Sequence, residues 1–433
     1  MKSSTPGTVV ATILIAAAGV GRAETLEDAW RLALGRNQAL AAKASELEAA
    51  REGERSASAA RWPTLQATGG YTRFATAPAF EFLGPSQSFR SAPVFDDDDY
   101  VAGRVQLSLP LYTGGQISAG VDASRRVVAV AAEDERAAQS ALKLDVAHEY
   151  VNVLRTRRML RTAESTVTSL TAHVSDVGQL VDRELMPSSD LLAARVALAN
   201  AEQSRVRAAN AVQIAYASYN RRIGEAQDRA PDLDERLPVD PSLAAPPPVE
   251  TLVDRALSSR SELIGLGARA DALDHQARAE LAALRPQLAL TGEYSYLENE
   301  FLDREDVSMV GIGVQWRLFD GGQVRHRAGA LRSASRAARQ NLGDLRSLIE
   351  LEVREAWLGV QEARARLGAS REAIAQAEEN LRMTRELYGA DLGTNTQVLD
   401  AVVLRVTAMN NYDDAVLDES LALLQLAHAA GAL

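Results

Sequence analysis

The stretch LYTGGQISAG, residues 111–120, decides how this chain is read, because the chain repeats it: LFDGGQVRHRAG occupies residues 318–329. Each time, a Leu-aromatic-x-Gly-Gly-Gln turn follows an alternating apolar run and precedes a long Ala-rich stretch. Aligning Gly114 with Gly321 sets an offset of 207 (321 − 114). The same offset pairs Tyr150 with Trp357, Leu185 with Leu392, Leu192 with Leu399 and Gly224 with Gly431, without a gap. Upstream, Leu34 pairs with Leu257, Leu40 with Leu263 and Pro63 with Pro286, at an offset of 223 (286 − 63). The difference of 16 (223 − 207) is an insertion in the first copy, within residues 75–99, which are rich in Pro, Gly and Ser and end in Asp96, Asp97, Asp98 and Asp99. The chain is therefore a tandem duplication, with a period too long for a solenoid repeat.

These pairings divide the chain into a leader at 1–23, a first repeat at 24–224, a linker at 225–248 and a second repeat at 249–433. The leader reads as a signal peptide: Lys2, an apolar run from Val9 to Val20, then Gly21-Arg22-Ala23 before a cut at Ala23–Glu24. The linker carries six prolines, Pro246, Pro247 and Pro248 among them, and reads as extended chain. No later segment has the eighteen or so continuous apolar residues of a spanning helix.

Composition narrows the function. With 433 residues, 46% of them apolar, the chain can bury a sizeable core. The absence of cysteine excludes disulfides, thiolate metal sites, a cysteine nucleophile and a lipid-modified amino-terminal cysteine. The five histidines, His148, His173, His275, His326 and His428, lack metal-ligand spacing and read as surface or packing residues. A net charge of −11 without a basic cluster argues against nucleic-acid binding. No Ser/His/Asp set, phosphate loop or cofactor motif stands out, so no enzyme and no cofactor are expected.

Each repeat opens with a helix, expected over 25–61 and 252–285, where Thr25 and Asp28 suit a capping arrangement and Pro63 and Pro286 force the end. Two alternating segments follow in each copy, about 63–74 and 100–112, then 286–297 and 307–319. Leu65, Tyr71, Val105, Leu107, Leu111, Tyr294, Val310, Ile312 and Leu318 mark their apolar face; Gln66, Thr68, Arg104, Gln106, Glu293 and Gln315 mark the polar one. Period two over about ten residues is a β-strand. The length, the alternation and the aromatics near the strand ends (Trp62, Tyr71, Tyr112, Tyr296, Phe319) suit a strand crossing an outer membrane. Four such strands cannot close a barrel, and an open edge in lipid is too costly, so several chains must share one.

After each turn comes the longest helical signal. Seam positions step by three and four along Leu160, Ala163, Val167, Leu170, Val174, Val177 and Val181, and again along Ile349, Val353, Ala356, Val360, Ala363, Leu367, Ser370, Ile374, Ala377, Leu381, Thr384 and Tyr388. That spacing is a coiled-coil seam. The rods turn at 185–189 and 391–396 and return, giving helical hairpins over 116–224 and 323–431, with Ser188 and Asn395 or Thr396 as expected caps.

From leader to carboxyl terminus the chain resembles the TolC-like outer-membrane efflux protein family. The resemblance rests on the duplication, the junction Leu318-Phe319-Asp320-Gly321-Gly322-Gln323, and Tyr388 with Leu392-Gly393-Thr394-Asn395-Thr396 and Val398-Leu399-Asp400-Ala401 at the second tip. The fold class it implies is α+β, mostly α: a homotrimer sharing a twelve-stranded transmembrane barrel continued by a periplasmic α-helical coiled-coil tunnel. Gly114, Gly115, Gly321 and Gly322 become the strand-to-helix junctions, and Gln66, Arg104, Gln106, Glu293 and Gln315 the barrel lumen. Asp400, and more weakly Asp190, become periplasmic gate candidates. Leu185, Met186, Pro187, Ser188, Leu392, Gly393 and Thr394 become tips that contact an adaptor. The implied partners are outer-membrane lipid, a periplasmic adaptor (membrane fusion) protein and an inner-membrane pump or ABC transporter, in efflux or type I secretion. Two departures stand out: Asp391 replaces the glycine common at that place, and Met186-Pro187 replaces the usual glycine pattern of the first tip. The rival reading, a periplasmic coiled-coil scaffold without a channel, accounts for the heptads but not for the strands.

Overall fold

The computed structural model describes residues 23–76, 79–83, 89–93, 98–237, 246–299 and 303–433. The leader expected before Ala23, part of the insertion and part of the linker lie outside these residues. The chain forms two compact units. One contains Lys143–Ala245 and Val360–Leu424 with the amino-terminal stretch up to Asn37; the other contains Gln38–Leu142, Pro246–Gly359 and Gln425–Leu433.

The first repeat runs α1 (Leu26–Arg36), α2 (Gln38–Ala59), β1 (Thr64–Arg73), β2 (Ala79–Leu83), β3 (Phe89–Pro93), β4 (Asp99–Tyr112), α3 (Gln116–Asp182) and α4 (Ser188–Ile223). The second runs α5 (Val249–Ser259), α6 (Ser261–Ala282), β5 (Gln287–Leu297), β6 (Asp306–Gln315), α7 (Gln323–Gly389) and α8 (Asn395–Ala429). Helices α3 and α7 have 67 residues each.

The single opening helix expected in each repeat is in fact two. Thr25 and Asp28 close a capping box at the start of α1. The helix then breaks at Asn37, whose backbone is extended (φ −69°, ψ 121°), and the second repeat breaks at the equivalent Arg260 (φ −65°, ψ 121°). At each break the end of a return helix docks. Gly224 lies against Arg36, and the Asn37 side chain donates to Arg222 O at 3.1 Å. Gly431 lies against Ser259, and Arg260 Nη1 donates to Ala429 O at 3.2 Å.

Strands β1, β4, β5 and β6, all in the second unit, form one antiparallel sheet in that order. Thr64 faces Ser108 across β1–β4, and Gln287 faces Gln315 across β5–β6, which are the same pair under the two sequence offsets. The register thus preserves the duplication residue by residue. The central β4–β5 pairing joins the two repeats, and β1 and β6 are open edges. Leu65, Val105, Leu107, Tyr294, Val310, Ile312 and Val314 lie on one face and are all exposed.

Three strand details differ from expectation. Residues 75–99 carry a two-stranded hairpin, β2–β3, in place of a plain loop. Its local cue is the alternation Phe80-Glu81-Phe82, hidden within an insertion of turn-forming composition. A bulge between Pro110 and Tyr112 puts Tyr112, not Leu111, opposite Leu288; an extra residue breaks strict alternation. Strand β6 stops at Gln315 rather than near 319, because β5 begins at Gln287 and offers Trp316 and its successors no partner.

In the first unit, Val146, Ala147, Tyr150, Val151, Val153 and Leu154 of α3 are buried, and Tyr150 meets Tyr219 of α4 edge to face at 6.0 Å. The Tyr150 hydroxyl donates to Glu24 O (2.8 Å) and Asp234 O (2.7 Å), so the start of the linker is tied down beside α1 rather than running free. Burial raises both phenols above their ordinary range, and Tyr219 keeps its proton to donate it to the Glu24 carboxylate.

Candidate functional site

Three groups of residues carry the functional expectations: the polar sheet face and the glycine junctions in one unit, and the hairpin tips in the other.

On the polar face of the sheet, Gln66 pairs with Gln106, and Gln106 with Glu293. Arg104 bridges to Glu293 at 3.2 Å across the β4–β5 seam. The same face of β6 carries exposed Met309, opposite Glu293, and then Gly311, Gly313 and Gln315. Glycine replaces polar side chains there, so the polarity read in β4 and β5 does not extend evenly across the sheet.

At the junctions, Gly114 (φ 63°), Gly115 (φ 92°), Gly321 (φ 65°) and Gly322 (φ 86°) all take the left-handed backbone that an L side chain resists. The first junction is held from outside its own repeat. Arg285 Nη1 donates to Gly114 O at 2.8 Å, and Gln287 Nε2 donates to Gln116 Oε1 at 2.9 Å. The second is held from within: Asp320 accepts from Gly322 N at 2.8 Å and Val324 N at 2.9 Å. The Val324 hydrogen bond above all holds the Asp320 carboxyl below the usual carboxylate range.

The two tips repeat one turn. Leu185 N donates to Leu180 O at 2.9 Å, and Leu392 N to Leu387 O at 2.8 Å. Glu184 (φ 59°) and Asp391 (φ 61°) hold the same left-handed conformation. Asp391 therefore does the backbone work of the glycine it replaces, at a conformation that Asp tolerates better than most residues. Leu185 and Leu392 are exposed at the turns.

The caps differ from expectation. The cap of α4 is Pro187, which makes no side-chain bond, and Ser188 is already the first helical residue. The cap of α8 is Thr394, in a reciprocal box: Gln397 N donates to Thr394 Oγ1 (3.3 Å) and Thr394 N to Gln397 Oε1 (2.9 Å). Asn395, freed from capping, is buried and works elsewhere.

Just inside the tips, side chains from all four hairpin helices meet. Tyr388 Oη donates to Asp190 Oδ2 at 3.2 Å, and Asn395 Nδ2 donates to Asp190 O at 3.0 Å. His173 Nε2 lies 2.8 Å from Asn395 Oδ1, and its ring is 5.8 Å from that of Tyr388. Burial, reinforced by Asp190, pushes the Tyr388 phenol up to about 12, so it remains a donor. Leu170, Val177, Leu381, Val398, Ala401 and Val402 enclose the group. Of the two gate candidates, Asp190 belongs to this network, while Asp400 stands exposed on α8. His173, read from the sequence as a surface or packing residue, and Asn395, read as a cap, are joined here in a way that neither reading contained. The available signal was spacing: Leu170, His173 and Val177 step by three and four, so His173 occupies a seam position. Among the described residues no group of three or more His, Cys, Asp or Glu could hold a metal ion, and no helix is long and apolar enough to cross a membrane.

A duplicated strand-and-helical-hairpin unit, with one sheet face apolar and the other largely polar, is the architecture of an outer-membrane channel subunit. The chain belongs to the outer membrane efflux protein family, whose model matches residues 29–225 and again 252–432. A curated relative, the outer membrane efflux protein BepC of Brucella suis, is 22% identical over 308 residues, covering 69% of this chain. The match spans 64% of that relative's length. Among solved structures, CusC superposes with a TM-score of 0.78 at 17% identity, over 94% of this chain and 92% of the other. VceC of Vibrio cholerae gives 0.77 at 18% identity, over 94% and 96%.

Proposed function

We propose that the chain is the exit duct of a tripartite efflux or type I secretion system. Three copies share a twelve-stranded barrel, and their helical hairpins form a periplasmic tunnel. It conducts passively what an inner-membrane pump or ABC transporter and a periplasmic adaptor deliver. The observation that carries this reading is the sheet: four strands, both edges open, an exposed apolar face and a polar face bearing Gln66, Gln106, Arg104 and Glu293. Such a sheet is stable in lipid only when its edges are closed by further strands. A soluble scaffold would gain nothing from exposing Val310 and Ile312.

The tips contribute the periplasmic end. Leu185, Met186, Pro187, Ser188, Leu392, Gly393 and Thr394 form the tips offered to an adaptor, with Leu185 and Leu392 as their exposed apolar side chains, and the Asp190–Tyr388–Asn395 group ties the two hairpins of one chain together below them. Asp400 is the candidate for an acidic constriction. The test is the purified mature protein in detergent and then in planar bilayers. A trimer that conducts ions supports the duct; a water-soluble monomer or dimer without conductance supports the scaffold. Asp400→Ala is expected to raise conductance or relax block by cations, and no change in either removes Asp400 from the constriction.

A further inference from the structure

The two Gly-Gly-Gln junctions match in sequence and backbone but not in surroundings. A Cβ on Gly114 would lie 2.6 Å from Arg285 Cβ and 2.9 Å from Ala282 O, so the end of α6 fills this site. Around Gly321 nothing lies within 4 Å of the same position. Under the duplication, the residues standing where Arg285 and Ala282 stand are Trp62 and Ala59 (285 − 223 and 282 − 223), at the end of α2 as it enters β1. One chain cannot bring its own Trp62 to its own Gly321, because β1 and β6 are opposite edges of the sheet.

We infer that Trp62 of a neighbouring copy seats against Gly321, and that the neighbour's β1 pairs with β6 in the register dictated by the β4–β5 pairing. This rests on the trimeric reading and adds the residues that make the seam. Within the chain, Ser108 faces Thr291 and Gln106 faces Glu293. Shifted by the two offsets, these become Gln315 opposite Thr68 of the neighbour, and Gly313 opposite its Gly70. The mapping keeps Gln315 and Thr68 on the polar face and Val314 and Gly69 on the apolar one; a slip of one residue would invert every side chain.

Two further observations fit. Trp316, Leu318 and Phe319 lie beyond the end of β6 and are exposed, Phe319 by 88%. Their counterparts Leu109, Leu111 and Tyr112 are at the end of β4, where β5 supplies a partner. The neighbour's β1, from Leu65 to Ala67, supplies the missing one. Trp62 is 73% exposed, and its indole N–H is a donor that takes, in the neighbour, the part Arg285 plays toward the Gly114 carbonyl.

The chain's lack of cysteine makes the test direct. Thr68→Cys and Gln315→Cys are combined in the protein expressed with its leader and recovered from outer membranes. The expected result is a reducible ladder of linked copies ending at the trimer on a denaturing gel, absent from either single variant. Weaker linking is expected for Thr68→Cys with Gly313→Cys. Trp62→Ala is expected to lower the yield of detergent-resistant trimer about tenfold, as loss of a central aromatic anchor does. A trimer that links better through Gly313→Cys, or does not link through either pair, overturns the register while leaving the duct intact. Unchanged trimer resistance in Trp62→Ala overturns the seat. Absence of any trimer overturns the duct reading itself.

Discussion

The helix breaks at Asn37 and Arg260 are one backbone device held by two chemistries. Both residues are extended, and both receive a return helix whose last carbonyls accept from the break residue's side chain. In the first copy the donor is a neutral amide. In the second it is a guanidinium, 8% exposed, that also bridges Glu262 (3.0 Å) and Glu352 (3.1 Å). The backbone geometry is what duplication preserved; the side chains that secure it diverged. The same holds at the tips, where one left-handed turn is built from Glu184 in one copy and Asp391 in the other.

Substitutions that separate backbone from side chain test this contrast. The largest effect is expected at the docking glycines. A Cβ on Gly224 (φ 77°) would lie 2.8 Å from Arg36 Cβ and 3.1 Å from Arg36 O. Backbone strain and overpacking together predict a loss of about 3 kcal/mol for Gly224→Ala. At Gly431 (φ 69°) the nearest atom is the Ser259 hydroxyl, 2.5 Å away, which can rotate aside, so Gly431→Ala is expected to cost about half as much. Denaturant unfolding of the two variants in detergent measures the difference, and equal losses would erase it.

Next come the break residues themselves. Arg260→Ala leaves two partly buried carboxylates without their shared cation and is expected to cost about 2 kcal/mol, discounted from a fully buried pair for solvent screening. Asn37→Ala removes one neutral hydrogen bond to Arg222 O and is expected to cost about 1 kcal/mol. Smaller still is the contrast of caps: Thr394→Ala should lose about 1 kcal/mol with its reciprocal box, and Ser188→Ala almost nothing.

The smallest contrast is in pH. Burial, the largest single influence, would raise the Glu262 carboxyl, but the hydrogen bond from Arg260, a backbone hydrogen bond and the charges of Arg260 and His428 together outweigh it, and the net shift is downward. A depressed carboxyl stabilises the fold above its unfolded value, near 4.3, and loses that contribution as pH falls through the folded value. Stability measured from pH 6 down to pH 3 should therefore fall less steeply in Glu262→Gln than in the parent. Asn37→Ala should leave that slope unchanged.

These contrasts also mark what sequence could reveal. Strands and rods were legible because their periods run along the whole element: alternation sorts a strand's two faces, and burial of one stripe fixes a rod's seam. The breaks were not, since Asn37 and Arg260 carry no local signal; each is extended because a distant return helix docks there. The strand endings failed for a related reason. Trp316–Phe319 continues the alternation, but β6 extends only as far as β5 can pair with it. At the tips, Asp190 was identified from the family pattern. His173 and Asn395 were read only as a packing residue and a cap, because their joint role depends on four helices meeting; Asp391 stood out as replacing a glycine, but its left-handed backbone carries no signal of its own in the sequence.

The sheet's central seam bears on how the molecule is made. Its β4–β5 ladder pairs Ser108 with Thr291, residues separated by the entire first helical hairpin and the linker. A ribosome has finished the β1–β4 hairpin long before β5 emerges, so an apolar ribbon must wait, unmatched, while more than a third of the polypeptide is synthesised and exported. Contacts that close such long loops form late. The wait is thus a consequence of strand order, and exchanging the order of the two repeats would shift it from one hairpin to the other without removing it.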